Sequence, residues 1–553
     1  MTSSTAGAVI ARIIAAAGVT RAYTVPGESF LGLLDVLPDA GIRVVSARHE
    51  GAASFMAGAD AYMTGRPAAL LVTRAVGAAN AAIGIHTAYS DSASVIVFVG
   101  QVPRRNRGRE AFQEVDLAMT IGGLAKWAVE PATQPELIAA VHEATRVALD
   151  GRPGPVLVAL HEDLLDEVVE AAELRLAPIA PMPDPVPDDV EATVEALRSA
   201  RRPVILAGAG VLRAGAVPGL AGLADRLAVP VIAGWRRPEV FDNRHPLYLG
   251  MTGYWAPSSV RERLLAADVV LALGTRLGEP ATFGYRVPAD GTRWFHVDLD
   301  PRRPNDPHPP ELAIPADAGA FLRAALAIAG PRDPATSDAR DAANRSDRQA
   351  YEMASAVDGT AWHGPGIHPG RLVTTMQRLI PADAIITTDA GNFAGWVARG
   401  YRFGTAGKLV GPTSGAMGYA LPSAIAAALV HPGRTIIAVA GDGGLGMTIM
   451  DLETAVREGA RIIVLCFDNQ RYGTIRMWQE RRNSGVGIAT ELGAVDFAAI
   501  ARALGARGVT VDDDAGVVPA LSDALADPRS TVIQLRIDRA WVSVDDTPTG
   551  RPS

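Results

Sequence analysis

Two short segments of the chain carry oxygen donors just past apolar runs. One is Gly441-Asp442-Gly443-Gly444, after the run 435–440; the other is Asp468-Asn469-Gln470-Arg471-Tyr472-Gly473, after the run 461–467. Asp442 and Asn469 lie 27 positions apart, which suits one strand–helix–strand unit of about thirty residues. If the two strands are neighbours and parallel, both residues emerge at one edge of the sheet. Asp supplies a carboxylate and Asn a carbonyl oxygen, a donor pair suited to magnesium. That ion takes few oxygens from protein and completes its octahedron from phosphate and water. Gly441, Gly443 and Gly444 let the backbone approach a diphosphate closely, and a helix starting after Gly444 would aim free N–H groups at the same anion. Taken alone, the tetrapeptide also reads as a tight turn with a solvated Asp442. Asn469 at this spacing is what favours the metal.

A second carboxylate stands out. The run 42–47 leads into Arg48-His49-Glu50-Gly51-Ala52-Ala53, where small residues allow a flat ring or another chain to approach Glu50. A lone Glu at a helix start is otherwise a solvated carboxylate favoured by the helix dipole. The single cysteine, Cys466, sits inside an apolar run and reads as an inert core thiol. It permits no intrachain disulfide, which fits a reducing, intracellular setting.

The elements that must position these groups alternate. Short apolar runs at 68–73, 95–100, 155–160, 203–207, 229–233, 269–274, 294–297, 384–388, 435–440, 461–467 and 531–535 read as buried strands. Amphipathic segments lie between them; 447–458, for example, places Leu452, Ala455 and Val456 on one helical face. Proline recurs through 176–189, which reads as an extended linker, and 330–370 is polar and partly helical. The expected fold is α/β, with three doubly wound parallel-sheet domains over 1–175, 190–330 and 365–540. Ligands of such sheets sit at the carboxyl ends of the strands.

Composition narrows the function. The chain has 553 residues, 48% hydrophobic and 20% charged, with a formal net charge of -8. That sign argues against a nucleic-acid partner, which needs clustered Lys and Arg. The cluster 104–109 is interrupted and followed by acids, so it reads as a loop feature. Residues 6–19 read as an amphipathic helix of the fold, with Arg12 inside it, not as a signal peptide. No run reaches the ~18–20 apolar residues needed to span a bilayer. A cytoplasmic enzyme without a membrane partner is the expectation.

The pair Asp442 and Asn469, in this context, resembles the signature of thiamine-diphosphate enzymes, and the chain as a whole resembles their acetolactate synthase-like group. The resemblance implies Mg2+ held by Asp442, Asn469 and the backbone carbonyl of Arg471. Pro412-Thr-Ser-Gly-Ala-Met-Gly-Tyr-Ala-Leu-Pro422 is similar to a family segment in which Gly415 contacts the cofactor and Met417 props it into a bent shape. Asp389-Ala-Gly391-Asn392-Phe393 resembles the loop over the diphosphate, and Tyr472, Gly473 and Thr474 continue the metal segment. Val25-Pro26-Gly27-Glu28 is similar to the loop over the thiazolium ring. The run from Arg48 to Tyr62 resembles the segment bearing the catalytic glutamate, so Glu50 is implied to relay a proton to the aminopyrimidine ring. Phe112 and Gln113 match residues lining the substrate side. Glu50 and Asp442 fall in different domains that meet, in the family, across a subunit interface; a homodimer or homotetramer is therefore implied.

Several positions leave the acetolactate synthase pattern. Glu28 stands where Gly is common, and an acid there would oppose a carboxylate substrate unless paired. Arg74, Ala75 and Val76 replace Ser, Gly and Pro. Glu162 replaces a Lys of the substrate channel, and Pro280 replaces an Arg that helps to hold an acceptor 2-oxo acid. His86 and Trp478 are further candidates for the substrate pocket. Gly208-Ala209-Gly210 could hold a dinucleotide but reads more simply as a tight strand–helix turn. The group's middle domain binds FAD, which makes FAD a candidate cofactor; the altered Arg276–Pro280 segment speaks against it.

The resulting expectation is a thiamine-diphosphate- and Mg2+-dependent transferase, an acetolactate synthase-like carboligase acting on a 2-oxo acid donor. A 2-oxo acid decarboxylase or a 2-hydroxyacyl lyase is the alternative within the family. A nucleotide-binding oxidoreductase would need a GxGxxG loop after a strand, and no good one is present. A cofactor-binding subunit without turnover would be expected to have lost Glu50.

Overall fold

The computed structural model describes residues 4–169, 182–301, 307–332, 334–359, 364–483, 487–541 and 543–545. Three six-stranded parallel sheets, each flanked by helices, organise them. In the first, the strands run in the spatial order Arg43–Ser46, Arg21–Thr24, Ala68–Thr73, Val95–Gln101, Val156–His161, Trp127–Val129. The third repeats this topology with Lys408–Val410, Ile385–Thr388, Ile436–Gly441, Ile463–Asp468, Thr531–Arg536, Arg507–Val511. The middle sheet differs. Its order, Tyr248–Met251, Val231–Ala233, Pro203–Ala207, Val269–Leu273, Arg293–Asp298, Leu312–Pro315, is 3-2-1-4-5-6 in chain sequence, the arrangement of dinucleotide-binding sheets. The strands are buried on both faces, which explains why they read as unbroken apolar runs rather than alternating ones.

Helix Glu50–Thr64 of the first domain packs on Ala420–Val430 of the third, so a single apolar cluster spans both. Phe55 meets Tyr419 edge-on at 5.2 Å between ring centroids. These helices are rich in Ala and Gly because their backbones lie close. A methyl group at Gly84 of helix Arg74–Asp91 would collide with Ser54. The middle domain is tied in by Arg236, fully buried between Trp235 and Trp255, its centre 5.3 Å from each ring. Arg236 donates to Thr388 Oγ1 at 2.8 Å and to the Asp389 carbonyl at 3.1 Å. Arg237 donates to Asp91 of the first domain at 3.0 Å.

Three local expectations change. The segment 447–458 is not one helix: a helix over Asp442–Thr448 gives way to a 3-10 turn at Ile449–Asp451 and a second helix over Leu452–Arg457. Leu452 and Ala455 are buried on the second helix, but Val456 is 39% exposed at the edge of its core face. The helix expected after Gly444 starts at Asp442. Of the linker 176–189, residues 176–181 lie outside the described residues, and Pro187 already opens helix Pro187–Ser199, a position proline favours. The polar stretch 330–370 contains a helix over Pro334–Ala354. No helix among the described residues is long and apolar enough to cross a membrane.

Candidate active site

Strands Ile436–Gly441 and Ile463–Asp468 are neighbours, with Gly441 opposite Phe467 in the register. Asp442 and Asn469 therefore leave the sheet side by side. They line a cavity of about 250 Å³ together with Gly391, Asn392, Phe393, Gly415, Met417, Gly441, Gly443, Gly444, Arg471, Tyr472, Gly473 and Thr474. Every residue of the third domain expected at the cofactor thus faces one space. Trp396, Phe467, Ile537 and Trp541 add an apolar wall that no motif signalled.

The chemistry of this cavity suits a cation and an anion together. Asp442 is buried, and burial pushes its carboxyl up to about 7, helped by the neighbouring Asp468 carboxylate and opposed by N–H groups of Gly443 and Gln470. Asp468 is engaged by Gln534 at 2.6 Å and by Arg536. Asp442 has no ion pair among the described residues, and a cation such as Mg2+ in the space it faces would hold its carboxyl ionised. Asn469 Oδ1 accepts the Arg471 N–H at 3.1 Å. The Arg471 side chain pairs with Glu491 at 2.9 Å, which leaves its main chain for the cavity. A Cβ at Gly443 would stand 2.7 Å from the Tyr472 ring, and one at Gly444 would collide with Asp389 Oδ2. The backbone cradle needs these glycines. Asp389 fixes the facing loop: its Oδ1 accepts the Ala420 N–H at 2.8 Å, and burial raises its carboxyl to about 6. The Asn392 N–H donates to Thr474 Oγ1 at 3.1 Å, tying that loop to helix Gly473–Asn483.

Glu50 opens helix Glu50–Thr64. His49 caps that helix, its Nδ1 accepting the Gly51 N–H at 2.9 Å. Asn80 Nδ2 donates to Glu50 Oε2 at 2.9 Å. A Cβ at Gly77 would lie 3.4 Å from Glu50 Oε1. The contact of Asn80 and Gly77 with Glu50 comes from helix Arg74–Asp91 lying beside helix Glu50–Thr64. Neither Glu50 nor Pro26, Gly27, Phe112 or Gln113 lines the 250 Å³ cavity. Within one chain Glu50 and the glycine-lined cavity at Asp442 and Asn469 are two separate groups.

Three of the positions that leave the family pattern, Glu28, Arg74 and Glu162, converge; Pro280 stands apart in the middle domain. Arg74 is buried between Glu28 Oε1 at 3.2 Å and Glu162 Oε2 at 3.1 Å, with the Phe112 ring 5.9 Å from its Cζ. The sequence shows these as separate charge changes; in the fold they form one ion cluster. Phe112 is 71% exposed, and Gln113 accepts the Ala75 N–H at 3.3 Å. His86 is exposed on its helix. Trp478 is 56% exposed under the Arg481 guanidinium. Neither lines a described cavity.

A second cavity, of about 500 Å³, lies elsewhere, at the carboxyl ends of the middle strands. Gly208, Gly210 and Gly274 form its floor, and Arg152, Arg213, Arg276, Asp298 and Pro280 stand around it. The Gly208–Gly210 turn is tight, as expected: a Cβ at Gly210 would lie 2.6 Å from the Gly274 Cα. Yet it also borders a space large enough for a nucleotide. Arg152 and Arg276 donate to carbonyls of Tyr89 and Ser90 and have no ion pair among the described residues.

Comparison with known proteins agrees with this architecture. Family models described as thiamine pyrophosphate enzyme, N-terminal TPP binding domain, central domain and C-terminal TPP binding domain match residues 4–120, 190–325 and 389–535. A sulfoacetaldehyde acetyltransferase of Rhodobacter capsulatus is 32% identical, over 94% of this chain and 92% of its own. The acetolactate synthase large subunit of Parasynechococcus marenigrum is 29% identical, over 97% and 88%. The catabolic acetolactate synthase of Raoultella terrigena is also 29% identical, over 95% and 93%. The chain belongs to the thiamine pyrophosphate enzyme family, in its acetolactate synthase group.

Proposed function

We propose that the protein uses thiamine diphosphate and Mg2+ to make or break a C–C bond next to a carbonyl, taking a 2-oxo acid as donor and transferring the resulting acyl unit to a carbonyl acceptor. The observation that carries this reading is the meeting of Asp442, Asn469, Met417 and the glycine cradle around one cavity. Thiamine diphosphate, when bound, supplies a carbon nucleophile and a sink for the electron pair released by decarboxylation. Asp442, Asn469 and the Arg471 carbonyl hold the metal; Gly391, Gly443 and Gly444 let the backbone reach the diphosphate. Met417 supports the cofactor from below. Glu50, oriented by Asn80, shares a proton with the cofactor's ring nitrogen. Phe112 and Gln113 border the substrate.

Because Glu50 does not line the cradle of its own chain, the complete site in this reading is built from two chains. Exposed apolar side chains lie on both halves: Val76, Ile83 and Met119 on the first domain, Met447, Met450 and Ile475 on the third. Their burial in a homodimer or homotetramer fits this assembly. The named activities of the relatives, sulfoacetaldehyde acetyltransferase and acetolactate synthase, both favour acyl transfer over simple decarboxylation or lyase chemistry. Decarboxylase and lyase activities remain the rival outcomes of the assay.

The 500 Å³ cavity supports a second ligand carrying phosphate. The 3-2-1-4-5-6 strand order and the arginines at its rim favour a nucleotide. An absorption spectrum of the purified protein separates FAD from a colourless ligand.

Pure protein incubated with thiamine diphosphate, Mg2+ and a panel of 2-oxo acids should release CO2 and form a hydroxyketone or hydroxy acid. Asp442→Ala should abolish Mg2+-dependent cofactor binding in a titration. Full turnover by Glu50→Gln would refute the proton-sharing role.

A further inference from the structure

The six strands of the first sheet all end in loops that carry charge, and the charges are organised. Arg74, after Ala68–Thr73, is clamped by Glu28 and Glu162. Arg104, after Val95–Gln101, is clamped by Asp163 at 2.8 Å and by Glu167. Arg107 is clamped by Glu114 at 2.8 Å and Glu130 at 2.7 Å. Each guanidinium faces two carboxylates, so the carboxyl edge of this sheet bears an excess of negative charge. Arg74 is the member nearest the chemistry. It opens helix Arg74–Asp91, and Gly77, one helical turn further on, is the residue against the Glu50 carboxylate.

Arg74 is also held in place at a cost. Its φ is 33°, in the left-handed region that a side chain disfavours. The next N–H, of Ala75, is held by the carbonyl of Gln113, itself at φ 62°. Two such residues, Arg74 and Gln113, linked through the Ala75 N–H beside Phe112, mark a constrained contact rather than a loose surface pair. A free guanidinium here would receive a substrate carboxylate through two parallel hydrogen bonds. Both terminal nitrogens of this one are already taken, and its Nε is buried away from solvent.

Resting on the proposed function, we infer that Arg74, clamped by Glu28 and Glu162, selects a carbonyl acceptor that carries no carboxylate, an uncharged aldehyde rather than a second 2-oxo acid. The same charge raises the energy of the bound donor, but loss of CO2 relieves that repulsion on the way to the transition state, whereas an acceptor's carboxylate would feel it throughout bond formation. In the step, the C1–C2 bond of the donor breaks and its carboxylate departs as CO2. The electron pair left on the former carbonyl carbon forms the new bond to the aldehyde carbon. The aldehyde oxygen takes one proton from solvent, and the product is a 2-hydroxyketone. An acceptor carboxylate would meet the two glutamates as like charges, a juxtaposition that suppresses wrong partners.

The test supplies full-length protein, thiamine diphosphate and Mg2+ with pyruvate as donor and equal concentrations of propanal and 2-oxobutanoate as acceptors. The hydroxyketone should exceed the summed acetohydroxy acids by at least about tenfold. Glu28→Gln/Glu162→Gln, which frees Arg74, should move that ratio toward the acids by about tenfold. Equal coupling to both acceptors by the wild type, or an unchanged ratio in the double variant, overturns the inference. CO2 release is scored separately: its absence with every donor refutes the proposed function. The acceptor preference is then read without turnover, by NMR saturation transfer to propanamide and propanoate. Wild-type protein should favour the amide, and the double variant should lose that preference; the same ranking in both proteins overturns the inference.

Discussion

The carboxylate of Asp451 accepts the main-chain N–H of Arg48 at 2.9 Å, two residues before Glu50. Asp451 is 1% exposed, and burial raises its carboxyl while the Arg48 N–H and the Thr454 hydroxyl pull it down. It closes the 3-10 turn that follows helix Asp442–Thr448. The segment that starts at the expected metal ligand therefore ends by holding the turn that presents the expected proton donor. In a two-chain site, these two residues of one chain serve different cofactors. A hydrogen bond to a charged acceptor is worth about 1.5–3 kcal/mol, so Asp451→Ala should lower kcat by roughly tenfold or more with a smaller change in cofactor affinity. Asp451→Asn keeps an acceptor oxygen and should recover most of the rate. Exchange of the cofactor's reactive C–H proton, followed by NMR, should slow in parallel; equal losses in both variants would assign Asp451 to folding alone.

Asn80 offers a complementary measurement. Its side-chain N–H is the hydrogen-bond donor to Glu50 among the described residues of the chain. Asn80→Ala leaves the carboxylate free to rotate and removes a charge-assisted bond, so kcat should fall by about tenfold. Asn80→Asp places a like charge 2.9 Å from Glu50 Oε2 in the same geometry and should be worse than Ala. If Asp and Ala at position 80 perform equally, Glu50 is not ionised in the working enzyme.

The contrast between the metal half and the substrate half shows what a single sequence makes legible. Asp442 and Asn469 were placed together by spacing, because a strand–helix–strand unit of that length puts consecutive strands side by side, as Ile436–Gly441 and Ile463–Asp468 are. Glu28, Arg74 and Glu162 belong to strands whose adjacency depends on the order of the whole sheet. Their spacing carries no such information, so three charge changes were visible and one ion cluster was not. Arg236 is a harder case. Two arginines after a tryptophan look like solvated surface, and only the packing of Trp255 and the 388–389 loop from another domain encloses the first of them. The sequence leaves the 500 Å³ cavity open, because Gly208-Ala209-Gly210 looks the same in a tight turn and at a ligand's edge.

Stability should depend on pH through Glu239. This side chain is 4% exposed, next to Arg237, and its Oε2 has no hydrogen-bond partner among the described residues. Burial pushes its carboxyl up to about 7 from the ordinary 4.5, against the pull of Arg237 and Lys408. Between those values the folded protein keeps a proton that the unfolded chain has released. Stability should therefore fall as pH rises from 4.5 to 7, with the cost complete above 7. A shift of this size corresponds to about 3 kcal/mol. Glu239→Gln should match the wild type in urea-unfolding midpoint at pH 4.5 and exceed it at pH 8. Parallel curves for the two proteins across that range would show that Glu239 is ionised in the folded state throughout.

Two glycines of one helix separate ligand fit from helix propensity. Gly444 and Gly446 both lie in helix Asp442–Thr448. A methyl group at Gly444 would collide with Asp389 Oδ2, and Asp389 cannot retreat easily: its other oxygen holds the Ala420 N–H and its carbonyl holds Arg236. A methyl group at Gly446 would find nothing closer than Phe497 at 4.0 Å. Gly446→Ala should then stabilise the protein by roughly 0.5–1 kcal/mol, the helix-interior difference between Ala and Gly, with thiamine diphosphate affinity unchanged in a calorimetric titration. Gly444→Ala carries the same propensity gain, yet should lose stability and weaken cofactor binding by at least about tenfold, since overpacking costs about 1–3 kcal/mol. The opposite signs follow from a single difference, the carboxylate packed behind Gly444. Equal cofactor affinity in the two variants would mean that the Asp389 loop can shift without disturbing the cradle.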